Sequence, residues 1–246
     1  MSEGDDRLVN AITRLIPTLL TTMEAFEQVQ RNMHPPRLEQ LAGLIQPYEA
    51  SLNDALEEFR PLEFPEHLSP FRERVVHAAE YALRACNGII NHESGFGAVM
   101  KAMRAQCRAQ ELIYPLAPMM SPVNQYFLEP AAREDAGLIK QLSEGAENDN
   151  TGIINADNDR KQRGGFTLYV PENAGDEPLS LVVALHGGTG HGADFLWSWL
   201  REARTRKFLL MAPTSRQDTW SLMGEEHDLP GLLAMLDYVK SRWTVD

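Results

Sequence analysis

Cysteine is nearly absent: the 246 residues hold two, Cys86 and Cys107, too few for a disulfide framework and without the C-x-x-C spacing of a metal site. Both read as buried free thiols, because an unpaired cysteine packs as a small hydrophobe. A reducing, cytoplasmic compartment is the expectation that follows. Long apolar runs are missing too. No stretch approaches the roughly 20 residues needed to cross a bilayer, and the start, Met1-Ser2-Glu3-Gly4-Asp5-Asp6, is acidic where a secretory signal would be basic. Basic excess is lacking as well: 23 Lys and Arg face 35 Asp and Glu, a formal charge of -12. Affinity for a phosphate backbone rests on clustered cations, so nucleic acid is excluded as a general partner.

What is present is an ordinary globular composition, 43% hydrophobic and 24% charged, that changes character near residue 145. Before that point apolar residues recur at helical spacing: Leu8, Ile12, Leu15, Ile16, Leu19 and Leu20, then Leu38, Leu41, Leu44, Ile45, Leu52 and Leu56. Pro35-Pro36 separates these two helices. A third is expected to start at Ser69-Pro70, with the serine hydroxyl as its cap, and to bury Val75, Val76, Ala79, Leu83 and Cys86. Gly95-Phe96-Gly97 breaks the pattern before a fourth helix over 98–113. Glu73, His77 and Glu80 share one face of the third helix and resemble a metal-ligand set. A bridged metal site needs a second Glu-x-x-His, which the chain lacks, so a solvated, charge-paired face is expected and no metal or organic cofactor is implied.

The polar segment 143–150 is the expected boundary between an all-α helical domain, 1–145, and a second domain, 146–246. In the second, Phe166, Leu168 and Val170 alternate with Thr167 and Tyr169 at strand spacing, after the turn Gly164-Gly165 and with 151–156 as the expected hairpin partner. The continuous apolar run 179–185 reads as a strand buried on both faces of a parallel sheet. A helix over 194–206 with Trp199 on its buried side, a strand over 208–212 and a helix over 228–243 follow. The fold class expected is therefore mixed, helical first and then a mostly parallel sheet with covering helices.

The chemistry is concentrated at Leu185-His186-Gly187-Gly188, where the apolar run ends in histidine and glycines. Backbone N–H groups at a strand-to-helix turn can face a ligand only if side chains do not block the approach. The stretch 178–246 carries this junction together with Asp194-Phe195-Leu196-Trp197, Leu210-Met211-Ala212-Pro213-Thr214-Ser215 and Thr219-Trp220-Ser221-Leu222-Met223-Gly224. It resembles the phospholipase/carboxylesterase branch of the α/β-hydrolases. The resemblance implies hydrolysis of a small ester or lipid-like substrate by serine attack. It makes Gly187 and Gly188 the oxyanion-hole turn, and His186 a residue that shapes this turn and is not the base.

The triad of that family lies beyond the matched segment. Ser198, Ser215, Ser221 and Ser241 sit in no Gly-x-Ser-x-Gly, so the chain is expected to hold only the N-terminal part of an incomplete hydrolase domain, truncated before the nucleophile, and to be inactive alone. Ser215 and Trp220 are expected on the substrate rim, and His191, Asp194, His227 and Asp228 as surface polar residues and helix caps. Two alternatives stand beside this. One is a non-catalytic interaction or dimerisation protein, in which an unpaired sheet edge invites homo-oligomers. The other is a dinucleotide-binding turn at Gly188-x-Gly190-x-x-Ala193, with pyrophosphate at the following helix N-terminus.

Overall fold

The structure, a computed structural model, describes residues 3–146, 148–221 and 226–246. The chain divides into two compact units, Met1–Pro115 and Leu116–Asp246. The first is built from four helices: α1 (Glu3–Arg31), α2 (Leu38–Phe59), α3 (Ser69–Ile90) and α4 (Phe96–Ile113). Their apolar stripes meet in a core of Phe26, Val29, Leu41, Ile45, Ala85, Cys86, Ile89, Val99 and Ala102. Burial pushes the Cys86 thiol up to about 12, whereas Cys107, expected buried, is half-exposed at a helix surface. Gly95, at φ +93°, separates α3 from α4. Ser69 does not cap α3: it is the helix's first residue, preceded by a short turn over Glu66–Leu68, and no side chain caps that end. Glu80 accepts a hydrogen bond from Arg60 at 2.9 Å, which makes it one half of a charge pair. No described helix is long and apolar enough to cross a membrane.

The second unit begins with α5 (Ser121–Tyr126) and α6 (Ala136–Gly145), followed by strands β1 (Gly152–Ala156), β2 (Phe166–Val170) and β3 (Leu181–Val183). Helices α7 (Gly192–Phe195) and α8 (Leu200–Arg206), strand β4 (Leu209–Pro213) and helix α9 (Leu229–Arg242) complete it. The sheet order is β1-β2-β4-β3. The mixed class expected from sequence is present, but "mostly parallel" is not: β1 with β2 and β2 with β4 are antiparallel, and β3 with β4 alone is parallel. The reason is local. The turn that reverses the chain into β2 leaves that strand pointing against both of its neighbours.

Strands β2 and β4 are buried along their whole length. Period-2 alternation sends Phe166, Leu168, Val170, Leu209 and Met211 toward α9, where Met235, Leu236 and Val239 cover them. Tyr169, on the opposite face, reaches the residues that surround α8. Strand β3 departs from expectation: Val183 is 38% and Leu185 48% exposed, because β4 flanks only one side. On the other side a single parallel bridge joins Leu179 to Val245, with Leu179 N–H bonded to Thr244 O at 2.9 Å and Asp246 N–H to Leu179 O at 3.2 Å. The chain thus returns to the sheet after α9. The helix expected over 194–206 is interrupted by a 3-10 turn at Leu196–Ser198, which leaves Trp199 42% exposed.

The division at Pro115 also corrects the expected boundary near 145. A buried polar network holds α5 and α6 to the sheet. Arg204 of α8, fully buried, donates to Glu172 Oε1 at 3.0 Å and to Asn124 Oδ1 of α5 at 2.9 Å. Tyr169 OH donates to Glu172 Oε2 at 2.6 Å, and Asn124 Nδ2 donates to Ser143 Oγ of α6 at 2.9 Å. The polar segment 143–150, of which Glu147 lies outside the described residues, begins as the last residues of α6 and reaches a turn at 149–150, all within the unit. Removing one partner of a buried ion pair strands the other, at a cost of about 3–5 kcal/mol. Glu172→Met and Arg204→Met should each lose stability on that scale in urea titrations, while the double variant recovers most of it; additive losses would disprove the coupling.

Candidate functional site

The site lies at the carboxyl ends of the parallel pair β3 and β4, where open α/β sheets place their ligands. The chain leaving β3 runs through His186, Gly187 and Gly188, and the chain leaving β4 through Thr214 and Ser215. His186 is buried and fixes the first of these segments. Its Nδ1 lies 2.7 Å from the Gly187 carbonyl and its Nε2 accepts the Ser215 backbone N–H at 3.1 Å. A carbonyl can only accept and an amide N–H can only donate, so the ring is neutral with its proton on Nδ1. Trp220 adds a second hold. Its indole N–H donates to His186 O at 2.8 Å, and its ring lies against the imidazole at 5.0 Å between centroids.

Six backbone donors of the turn are used. Gly190 N–H bonds to Gly187 O at 3.0 Å, and Thr189 N–H to Asp218 O at 2.6 Å. Gly192 N–H bonds to Thr214 Oγ1 at 2.9 Å, and Ala193 N–H to His191 Nδ1 at 3.2 Å. Asp194 and Phe195 N–H groups both turn back to His191 O. Over 186–195 the N–H groups of His186, Gly187, Gly188 and His191 have no acceptor among the described residues; the two histidines are buried, and Gly187 and Gly188 are the exposed pair. A Cβ built on either meets nothing within 4 Å, whereas at Gly192 it would stand 2.1 Å from Ala212 O. Gly192 is therefore required by the close passage of β4, and Gly187 and Gly188 are required by no contact among the described residues.

His186 and Ser215 come together, with Nε2 3.3 Å from Oγ, yet they are not a catalytic pair. The lone pair on Nε2 is occupied by the Ser215 N–H, and the hydroxyl proton points at Gln217 O, 2.6 Å away. Ser215 is also 0% exposed, so it wedges the two strand ends and does not stand on a substrate rim. Ser221 is committed too. Its hydroxyl donates to Asp228 Oδ2 at 3.1 Å and accepts His227 N–H at 3.2 Å. Ser198 is exposed, and Ser241 Oγ donates to Tyr238 O within α9.

Asp228, expected as a cap or surface group, instead clamps the loop before α9, taking Arg216 N–H at 2.9 Å and Ser221 N–H at 2.8 Å. Burial would raise its carboxyl, but these donors outweigh that and hold it below the ordinary carboxylate range. His191 is the N-cap of α7 and Asp194 pairs with Arg160 at 2.7 Å, both structural. Residues 222–224 of the resembling motif lie outside the described residues. At the start of α7, where the dinucleotide alternative seats a pyrophosphate, the N–H groups of Gly192 to Phe195 are bonded to His191 and Thr214.

One residue of this neighbourhood is unmarked in the sequence. Arg163, in the turn before β2, donates to Ser215 O at 2.9 Å, to Ser215 Oγ at 2.7 Å and to Gly190 O at 3.3 Å. A lone arginine beside Gly164-Gly165 reads as a solvated loop charge. Only the fold reveals its reach.

Compared with family models, with curated proteins and with solved structures, the chain matches none.

Burial lowers the His186 pKa below 6.5; the Gly187 carbonyl opposes this, and the charges of Arg163 and His191 add to it. The unfolded chain therefore takes up a proton at this residue that the native state refuses. Its contribution to stability is complete above the ordinary imidazole value and is lost as pH falls through and below 6.5. Denaturation midpoints followed from neutral to mildly acidic pH should fall more steeply for the parent than for His186→Asn. Equal slopes would show that His186 does not carry this dependence.

Proposed function

We propose that this chain supplies the oxyanion-binding turn of a carboxylic ester hydrolase of the α/β-hydrolase type. The observation that carries the reading is the exposed pair Gly187 and Gly188, whose N–H groups have no acceptor among the described residues, on the loop that leads from the third strand into a helix. That loop is where such hydrolases take one of their oxyanion donors. In this chemistry a serine oxygen attacks the ester carbonyl, the carbonyl oxygen becomes an oxyanion, and N–H dipoles fixed in advance stabilise it without reorganising. Water then releases the acyl group. Removing one such donor costs about 3–4 kcal/mol of transition-state stabilisation. None of the serines placed above has a base to activate it, so the part assigned to the described residues is binding and positioning.

His186 and Trp220 serve this part by holding the turn open. A neutral imidazole with its proton on Nδ1 ties Gly187 O back toward the ring, which turns the Gly188 N–H of the same trans peptide away from it. The Trp220 indole holds His186 O and so fixes the Gly187 N–H in the same way. The test is a titration of the ¹⁵N-labelled chain with methylphosphonate, a tetrahedral oxyanion. The Gly187 and Gly188 amide signals are expected to move, and Gly188→Ala should abolish the response while melting like the parent, since its Cβ enters open space. Gly192→Ala should instead unfold the unit. A fluorophosphonate probe should label none of Ser198, Ser215, Ser221 or Ser241. Unmoved Gly187 and Gly188 signals, or stoichiometric labelling of one of these serines, would refute the reading.

A second reading, a self-associating protein without catalysis, is favoured by β3. Beyond Leu179 no described strand lies on its outer edge, and Val183 and Leu185 are exposed beside it. Such an edge is apolar and uncharged, lacking the lysine or proline that usually protects one. Light scattering should give a dimer or larger species that Val183→Lys dissociates. A monomer at high concentration would dismiss it.

A further inference from the structure

Arg163 reaches the segments that follow both β3 and β4, and its three hydrogen bonds among the described residues all go to neutral acceptors: two carbonyls and a hydroxyl. Among the described residues no carboxylate pairs with it. In a chain that carries a formal charge of -12 this is unusual, because a half-buried guanidinium taken partly out of water is ordinarily compensated by an acid. Two acids of the surrounding loops are engaged elsewhere, and Asp218, whose carbonyl takes the Thr189 N–H, is exposed and makes no ion pair with Arg163. Asp228 spends both oxygens on Arg216 and Ser221, and Asp194 is held by Arg160. The same guanidinium grips Gly190 O, in the turn whose Gly187 and Gly188 N–H groups have no acceptor among the described residues. Two features of one loop are thus without a counterpart among the described residues: a positive charge and a pair of amide donors.

We propose that the site takes an anionic ester, one bearing a carboxylate a few atoms from the scissile carbonyl, with Arg163 as the residue that selects the charge. The proposal rests on the oxyanion-turn reading and names the substrate class for that same site. The Gly187 and Gly188 amides receive the carbonyl oxygen, and the guanidinium receives the carboxylate. A planar fork of N–H donors suits a carboxylate better than a point charge does. Arg163 can turn toward the ligand without abandoning the loop, because its bond to Gly190 O is the longest of the three. Ser215, anchored to His186 and Gln217, keeps the end of β4 in place when it does.

The probes are monomethyl glutarate, which carries one ester and one carboxylate, and dimethyl glutarate, its neutral counterpart. Titrated into the ¹⁵N-labelled chain, the monoester is expected to shift the Gly187 and Gly188 amides and the Arg163 Nε signal, and to bind ~10-fold more tightly than the diester. Its affinity should fall as NaCl is raised while that of the diester does not. Arg163→Gln should remove the difference between the two ligands, and Arg163→Lys should restore part of it. Equal affinity for both esters, with the glycine amides still responding, would overturn the role of Arg163 and leave the oxyanion turn standing. Silence of the glycine amides toward both esters would overturn the two together. If Arg163→Gln fails to fold, the salt dependence and the monoester-to-diester ratio on the parent chain decide the matter.

Discussion

The second unit depends on how Arg204 is buried. A guanidinium removed from water must find acceptors for its donors, and no single element of this chain can provide them. Glu172 comes from just after β2, Asn124 from α5 and Ser143, one step further, from α6. Each of these segments is therefore fixed with respect to α8 by the same charge. The consequence runs into the sheet. Glu172 anchors the exit of β2, and α8 ends two residues after Arg204, where Lys207 takes a left-handed conformation and releases the chain into β4. Because the two strands are antiparallel, the exit of β2 and the entry of β4 lie at the same end of the ladder, and it is from this end that the pairing of Leu168 with Met211 is held.

A polar anchor of this kind explains which parts of the fold are legible in the sequence. Helices α1 to α4 are legible because their burial follows a local period: Leu15, Leu19, Phe26, Ile45 and Leu52 point one way by spacing alone. Strand β2 is legible for the same reason with a period of two. The boundary at Pro115 is not, because what binds α5 and α6 to the sheet is Asn124, Arg204 and Glu172, residues far apart in sequence whose types usually signal surface. The polar stretch after Leu142 marks a turn, and composition cannot tell a turn inside a unit from one between units. The exposure of Val183 and Trp199 escapes the pattern too. An apolar run states that a strand exists but not how many neighbours it has.

The site divides along a similar line. The His186-Gly187-Gly188 junction stands out because glycines after an apolar run have few local uses. Ser215 stands out by its place after β4, but its role does not, since the carbonyl that takes its proton and the ring that takes its N–H are visible only in space. Arg163 has no local signature at all. It lies ahead of β2, while both of the places it reaches follow strands later in the chain, and the antiparallel placement of β2 is what carries it there. A sheet of parallel strands alone would have put the start of β2 at the opposite end from the turn. The feature that the sequence pattern misjudged, the direction of β2, is thus the one that brings a cation to the site.

Around that turn the protein satisfies its donors with some insistence. Thr189, Gly190, Gly192, Ala193, Asp194 and Phe195 each place a backbone N–H on an acceptor, and His191 and Thr214 accept between them most of what α7 offers. The donors at Gly187 and Gly188, like those of the buried His186 and His191, have no acceptor among the described residues. Glycine's conformational freedom does not account for the two glycines, since neither has a positive φ. A side chain would fit at both positions. Under the proposed reading, the space left at these two positions is where a ligand reaches their amides, close to a guanidinium that pairs with no carboxylate among the described residues.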